Sequence, residues 1–132
     1  MLMPTVHRFM TMNPYTVGPH EPVSAAHRLM REHGCHHLPV VEGAQLLGVV
    51  SDRDLHLMPT SHADPDRIEV GEVMSRPVLA VTPETPFDEA IVLMTAARCS
   101  SLVVMGTAGV AGILTATDAL CALTDLLRRN VA

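Results

Sequence analysis

Tryptophan and lysine are absent from the 132 residues, and aromatic side chains make up only 2% of them (Phe9, Tyr15 and Phe87). So few rings exclude a stacking platform for single-stranded nucleic acid. Without lysine there is no Schiff-base or pyridoxal chemistry, and no phosphate-gripping lysine of the P-loop kind. All 9 basic residues are arginine, and against 14 acidic ones they leave a net charge of -5. An acidic chain without a basic stripe does not suit nucleic-acid phosphates. No apolar run approaches the roughly 20 residues of a membrane-spanning helix. Met1-Leu2-Met3-Pro4 lacks the charged-then-apolar layout of a secretory signal. Cys35, Cys99 and Cys121 form an odd set at wide spacing with no C-x-x-C pair. That pattern reads as free thiols in a reducing cytoplasm.

What is present suffices for one ordinary domain. Apolar types reach 48% and charged types 17%, a balance outside the disordered range. The core must be filled by Val, Leu, Ala and Met, which are small or flexible.

Laid on itself at an offset of 64, the chain repeats without a gap from Val6 to Asp54. The identical pairs include Val6/Val70, Met10/Met74, Val17/Val81, Pro22/Pro86, Ala26/Ala90, Met30/Met94, Cys35/Cys99, Leu38/Leu102, Gly48/Gly112 and Asp54/Asp118. In all, 14 of 49 positions agree, where chance gives roughly three or four. Thr11/Ser75, Val49/Ile113, Val50/Leu114 and Ser51/Thr115 are conservative. The chain is a tandem duplication, with copies at 1–60 and 70–132 and a polar, proline-containing linker at 61–69.

Each copy reads as strand, helix, strand, strand, helix, so the expected class is α+β. In the first, an extended piece at Tyr15 to Val17 leads to a helix opened by Pro22 and closed by Gly34. Ala26, Leu29, Met30 and His33 share one face of it. His37 to Val41 and Leu46 to Val50, joined at Glu42-Gly43-Ala44, form a hairpin. A second helix starts near Ser51 and ends before Pro59. The second copy repeats this order with a strand at Val78 to Val81, a helix from Pro86 to about Ala97, strands at Leu102 to Met105 and Val110 to Leu114, and a helix from Thr115 to Arg129. Leu120, Leu123 and Leu127 form an apolar stripe on that last helix. One copy cannot cover its own sheet, so the two are expected to pack into one globule about an internal pseudo-twofold axis.

The segment with chemical potential is Gly48-Val49-Val50-Ser51-Asp52-Arg53-Asp54, matched by Gly112-Ile113-Leu114-Thr115-Ala116-Thr117-Asp118. A hydroxyl residue followed three positions later by an acid is the pattern of a capping box, which needs no ligand. It is also what a nucleotide site requires. Helix-start N–H groups attract phosphate, and a carboxylate can hold both hydroxyls of a ribose. Spacing alone leaves both readings open.

A tandem unit with G-h-h-[ST]-x-x-D ending each hairpin resembles a pair of CBS domains, or Bateman module. Val6 to Met10 resembles the family's V-x-x-x-M opening, Thr16-Val17 its first strand, and His37-Leu38-Pro39-Val40-Val41 its H-L-P-V-V strand. Val70 to Met74, Ala80-Val81 and Ser101-Leu102-Val103-Val104 take those places in the second copy. The resemblance implies clefts that mix residues of both copies and bind AMP, ADP, ATP or S-adenosylmethionine. At one cleft it places Asp54 on the ribose, Ser51, Arg53, His36 and His37 near phosphate, and Val81 along the base. At the other it places Asp118 on the ribose, Thr115, Thr117, Ser100 and Ser101 near phosphate, and Thr16, Val17 and His37-Leu38-Pro39 near adenine. It further implies a disc-shaped homodimer that regulates a separate protein and catalyses nothing.

The copies differ where phosphate would lie. The first offers Arg53, His36 and His37; the second offers Thr117, Ser100 and Ser101, with Arg98 nearby, and has Val103 in place of the family's proline. The Asp54 cleft is therefore expected to take the more highly phosphorylated ligand. Two rival readings are weaker. The eight histidines all lie in the first half, but His36 and His37 alternate across a strand, and Cys35 repeats at Cys99 with no histidine beside it. That argues against a metal site. No G-x-S-x-G or H-E-x-x-H motif supports a hydrolase. A ligand-free interaction module stays as the third alternative.

Overall fold

The computed structural model describes residues 2–56 and 64–130. The expected end of the second helix, and the linker as far as Ala63, fall on 57–63 and so lie outside the described residues. The chain divides into two compact units: Pro14–Val78, and Met1–Asn13 together with Leu79–Ala132. Each contains one hairpin, the long helix that precedes it and the opening segment of the other copy.

In the unit formed by Pro14–Val78, helix α1 (Val23–His33) begins after Pro22 and ends at Gly34, whose φ of 64° is left-handed. Val23, Ala26 and Met30 bury its inner face, and Leu29 packs beside them. His33 lies outside that face and stacks on Tyr15 with ring centroids 3.8 Å apart. Strands β2 (His37–Glu42) and β3 (Gln45–Ser51) pair antiparallel, and α2 (Asp52–His56) follows at once. The core is Val17, Ala26, Met30, Leu38, Val40, Val50 and Val70. The strand expected at Tyr15 to Val17 shrinks to one parallel bridge between Val17 and Val40. A proline-rich stretch that lacks donors at Pro14 and Pro19 cannot sustain a longer ladder.

In the other unit, β1 (Thr11–Met12), β4 (Ala80–Val81), β5 (Ser101–Gly106) and β6 (Gly109–Thr115) form a sheet in the order β1-β6-β5-β4. Helices α4 (Phe87–Ala97) and α5 (Ala116–Asn130) share a core with Val6, Leu102, Val104 and Leu114. The core-facing residues of α5 are Ala119 and Ala122. The leucine stripe lies outside, with Leu120 63%, Leu123 49% and Leu127 56% exposed.

Three short elements have no counterpart in the expected order: β1, a 3-10 turn at Val6–Arg8, and α3 (Val70–Val73), closed by a reciprocal Glu69–Glu72 capping box. They are the two copies' openings, and each joins the other copy's elements. The Val6 and His7 amides donate to the carbonyls of Thr85 (2.9 Å) and Pro83 (3.0 Å). Sixty-four residues on, Val70 and Gly71 donate to Glu21 (2.9 Å) and Pro19 (2.8 Å). Met10 and Met74 then cross the hairpins at their glycines. A Cβ on Gly112 would stand 2.7 Å from Met10 Sδ and 2.8 Å from the Thr11 carbonyl. One on Gly48 would stand 2.6 Å from Met74 Sδ and 3.0 Å from the Ser75 carbonyl. The glycine of the motif is thus a seat for the returning methionine segment.

Candidate functional site

Each hairpin ends on the hydroxyl residue of the motif, and the acid three positions later closes onto it. Asp54 Oδ2 accepts the Ser51 amide at 2.9 Å, while the Asp54 amide donates to Ser51 Oγ at 3.1 Å. Asp118 Oδ2 accepts the Thr115 amide at 2.9 Å, and the Asp118 amide donates to Thr115 Oγ1 at 3.2 Å. Both are capping boxes in full, which settle the orientation of α2 and α5 as they leave the sheet. Capping uses Oδ2 of each carboxylate. The Oδ1 atom of Asp118 has no hydrogen-bond partner among the described residues. That of Asp54 meets only the Ser75 hydroxyl, which lies 3.3 Å from both carboxylate oxygens and has one proton to share.

Around Asp54 the structure gathers Ser51, Arg53, His36 and His37 of the expected set. His37 pairs with Ser51 across the hairpin, and the Asp52 amide donates to the His36 carbonyl at 3.0 Å. Arg53 is exposed. Around Asp118 it gathers Thr115, Thr117, Ser100 and Ser101 by the same construction. Ser101 pairs with Thr115, and the Ala116 amide donates to the Ser100 carbonyl at 2.9 Å. Thr16 is exposed and Val81 half-buried. Val17, Leu38 and Pro39 have buried side chains; Val17 and Leu38 belong to the core of their unit.

Ser75 and Asp52 were not among the expected residues. Ser75 reaches Asp54 because the second copy's opening returns to the first copy's hairpin, where Val49 and Ser75 bridge; the conservative Thr11/Ser75 pair was its only trace in the sequence. Asp52 has no such trace, since its counterpart is Ala116.

Among the described residues no three His, Cys, Asp or Glu side chains converge to hold a metal ion. No described helix is long and apolar enough to cross a membrane. Cys35 and Cys99 pack against the two cores. Burial pushes the Cys35 thiol up from its ordinary value, against a smaller lowering by a backbone hydrogen bond, and keeps it protonated at neutral pH.

Two copies of one α+β unit, each ending a hairpin on a capping-box carboxylate, define the class of a tandem-repeat module. The CBS-domain pattern matches residues 6–57 and again 70–125. The chain belongs to the CBS-domain family, as a tandem pair. It is similar to the CBS domain-containing protein YhcV of Bacillus subtilis, 29% identical across 98% of this chain and 99% of that protein. It is also similar to an inosine-5'-monophosphate dehydrogenase of Korarchaeum cryptofilum, 34% identical over 111 residues, and spans only 22% of that enzyme's length. Among solved structures, CBSX2 in complex with AMP superposes with a TM-score of 0.76 at 29% identity, covering 93% of this chain and 98% of the other.

Proposed function

We propose that the chain is a regulatory module that binds an adenosine-containing metabolite, AMP, ADP, ATP or S-adenosylmethionine. Asp54 and Asp118 each hold a ribose through the carboxylate oxygen that capping leaves over. That twice-built, half-used carboxylate carries the reading. Each carboxylate keeps one oxygen beyond the one that capping uses, and a ribose offers hydroxyl donors to it. Ser51, Arg53, His36 and His37 face phosphate at the Asp54 end. Thr115, Thr117, Ser100 and Ser101 do so at the Asp118 end. The AMP held by CBSX2, a relative over nearly the whole chain, supports the ligand class.

The module acts without catalysis, as a cytoplasmic homodimer that signals to a separate protein. Such signalling requires the ligand to prefer one conformation, since equal affinity for two states moves nothing. A ligand-free interaction module is the rival reading. The complete capping boxes favour it, as does the exposed leucine stripe of α5.

Thermal unfolding in the presence of AMP, ADP, ATP and S-adenosylmethionine separates the two. A ligand of the folded state alone, at 100 times its Kd, adds about 2.7 kcal/mol of stability. The proposal expects at least one adenosine compound to raise Tm while GMP and GTP do not. No rise with any of the four would leave the interaction module.

A further inference from the structure

An acid at position 52 is out of place beside a polyanion. It lies two residues before Asp54, at the end of the hairpin where the proposed ligand would carry its phosphates, and it should repel them. Its surroundings resolve the conflict. Asp52 Oδ2 lies 2.9 Å from His36 Nδ1, and both side chains remain solvent-accessible, His36 at 71% and Asp52 at 40%. The Asp52 amide holds the His36 carbonyl at 3.0 Å. The Asp52 carbonyl in turn takes His56 Nδ1 at 2.6 Å. Asp52 is thus fixed at both ends, and it fixes the imidazole of His36.

A carboxylate can only accept, so the shared proton sits on Nδ1 of His36, and Nε2 is turned away from Asp52. We propose that Asp52 is a positioning residue that aims His36 Nε2 at the phosphate chain of the ligand and makes the Asp54 end selective for nucleotides with more phosphate. In its imidazolium form the ring bridges two anions, donating from Nδ1 to Asp52 and from Nε2 to a phosphate oxygen. The charge of Asp52 is spent on the ring instead of opposing the ligand. The Asp118 end has no such device, because Ala116 and Ser100 stand in the equivalent places.

The proposal rests on the adenosine-binding reading above, and it makes an unusual prediction of sign. Removing a carboxylate near a polyphosphate ordinarily tightens binding. Titration calorimetry of the full chain with ATP and with adenosine, for wild type, Asp52→Ala, Asp52→Asn, His36→Ala and the double variant, reads it out. Asp52→Ala is expected to weaken ATP about threefold, the scale of an exposed ion pair, and to leave adenosine unchanged. Asp52→Asn, which still accepts from Nδ1, should fall between wild type and Asp52→Ala. In the His36→Ala background the sign reverses, and Asp52→Ala tightens ATP. If Asp52→Ala tightens ATP in the otherwise native chain, or has no effect, the positioning role is wrong and the binding site stands. Equal loss of adenosine and ATP marks Asp52 as a fold residue and also overturns the role. Binding of neither compound by wild type removes the site and this proposal together.

Discussion

The unit formed by Pro14–Val78 and the unit built on Leu79–Ala132 share one scaffold and carry different surfaces. Their cores correspond almost residue for residue: Val70 with Val6, Ala26 with Ala90, Met30 with Met94, Leu38 with Leu102, Val40 with Val104, and Val50 with Leu114. Even the irregularity in the ladder recurs, between Val40 and Val41 and between Val104 and Met105. Away from the cores the agreement stops. Helix α1 carries Arg28, Arg31 and Glu32 where α4 carries Val92, Thr95 and Ala96. At the hairpin ends, His36, Asp52 and Arg53 stand against Ser100, Ala116 and Thr117. Duplication kept what close packing demands, since interiors feel a change of one methylene. The exposed ends were left to diverge in charge.

The largest expected effect tests the glycine seats. Gly112→Ala and Gly48→Ala both overpack a hairpin against a methionine segment, at a cost of about 1–3 kcal/mol. The two should differ. At Gly112 the new Cβ meets the Thr11 carbonyl at 2.8 Å, whereas at Gly48 the Ser75 carbonyl is at 3.0 Å. A thioether can swing aside but backbone cannot, so Gly112→Ala should be the more damaging in urea unfolding. Equal and negligible losses would mean that the openings do not hold the hairpins closely.

A smaller effect contrasts the ends of the equivalent helices α1 and α4. α1 stops on Gly34 at φ 64°, and α4 stops in the same left-handed conformation on Arg98 at φ 54°. A side chain there costs about 1 kcal/mol relative to glycine. Gly34→Arg should therefore lower stability by about that amount, and Arg98→Gly should raise it by somewhat less, because glycine also loosens the unfolded chain. Both are read from urea midpoints. A loss on Arg98→Gly would show that the arginine side chain earns its strained backbone.

Sequence order revealed the duplication, both hairpins, and the start and stop of α1 and α4, because these depend on local signals. Prolines cannot donate, glycine tolerates positive φ, and strand pairs joined by a tight turn announce themselves. The capping reading of Ser51–Asp54 and Thr115–Asp118 was equally legible. Long-range choices were not. Nothing local says that Val6 to Met10 belongs with the second copy's elements and Val70 to Met74 with the first copy's, so Ser75 stayed hidden as a partner of Asp54. The nearest signal was a glycine inside each strand, which marks a close backbone approach without naming what approaches. The leucine stripe of α5 was visible too, but its side of the helix was not. Ala119 and Ala122 let the helix lie close to the sheet, and the leucines remain outside.

The claim most in need of a direct test is that the two half-used carboxylates hold ribose, with the Asp54 end taking the more phosphorylated ligand. Titration calorimetry with ATP on wild type, Asp54→Ala and Asp118→Ala decides it, with folding of each variant confirmed by its unfolding transition, since each carboxylate also closes a capping box. The account predicts that wild type binds ATP, that Asp54→Ala loses most of that affinity, and that Asp118→Ala keeps it. Equal loss in both variants would contradict the difference between the ends, and undiminished binding in both would contradict the role of the carboxylates altogether.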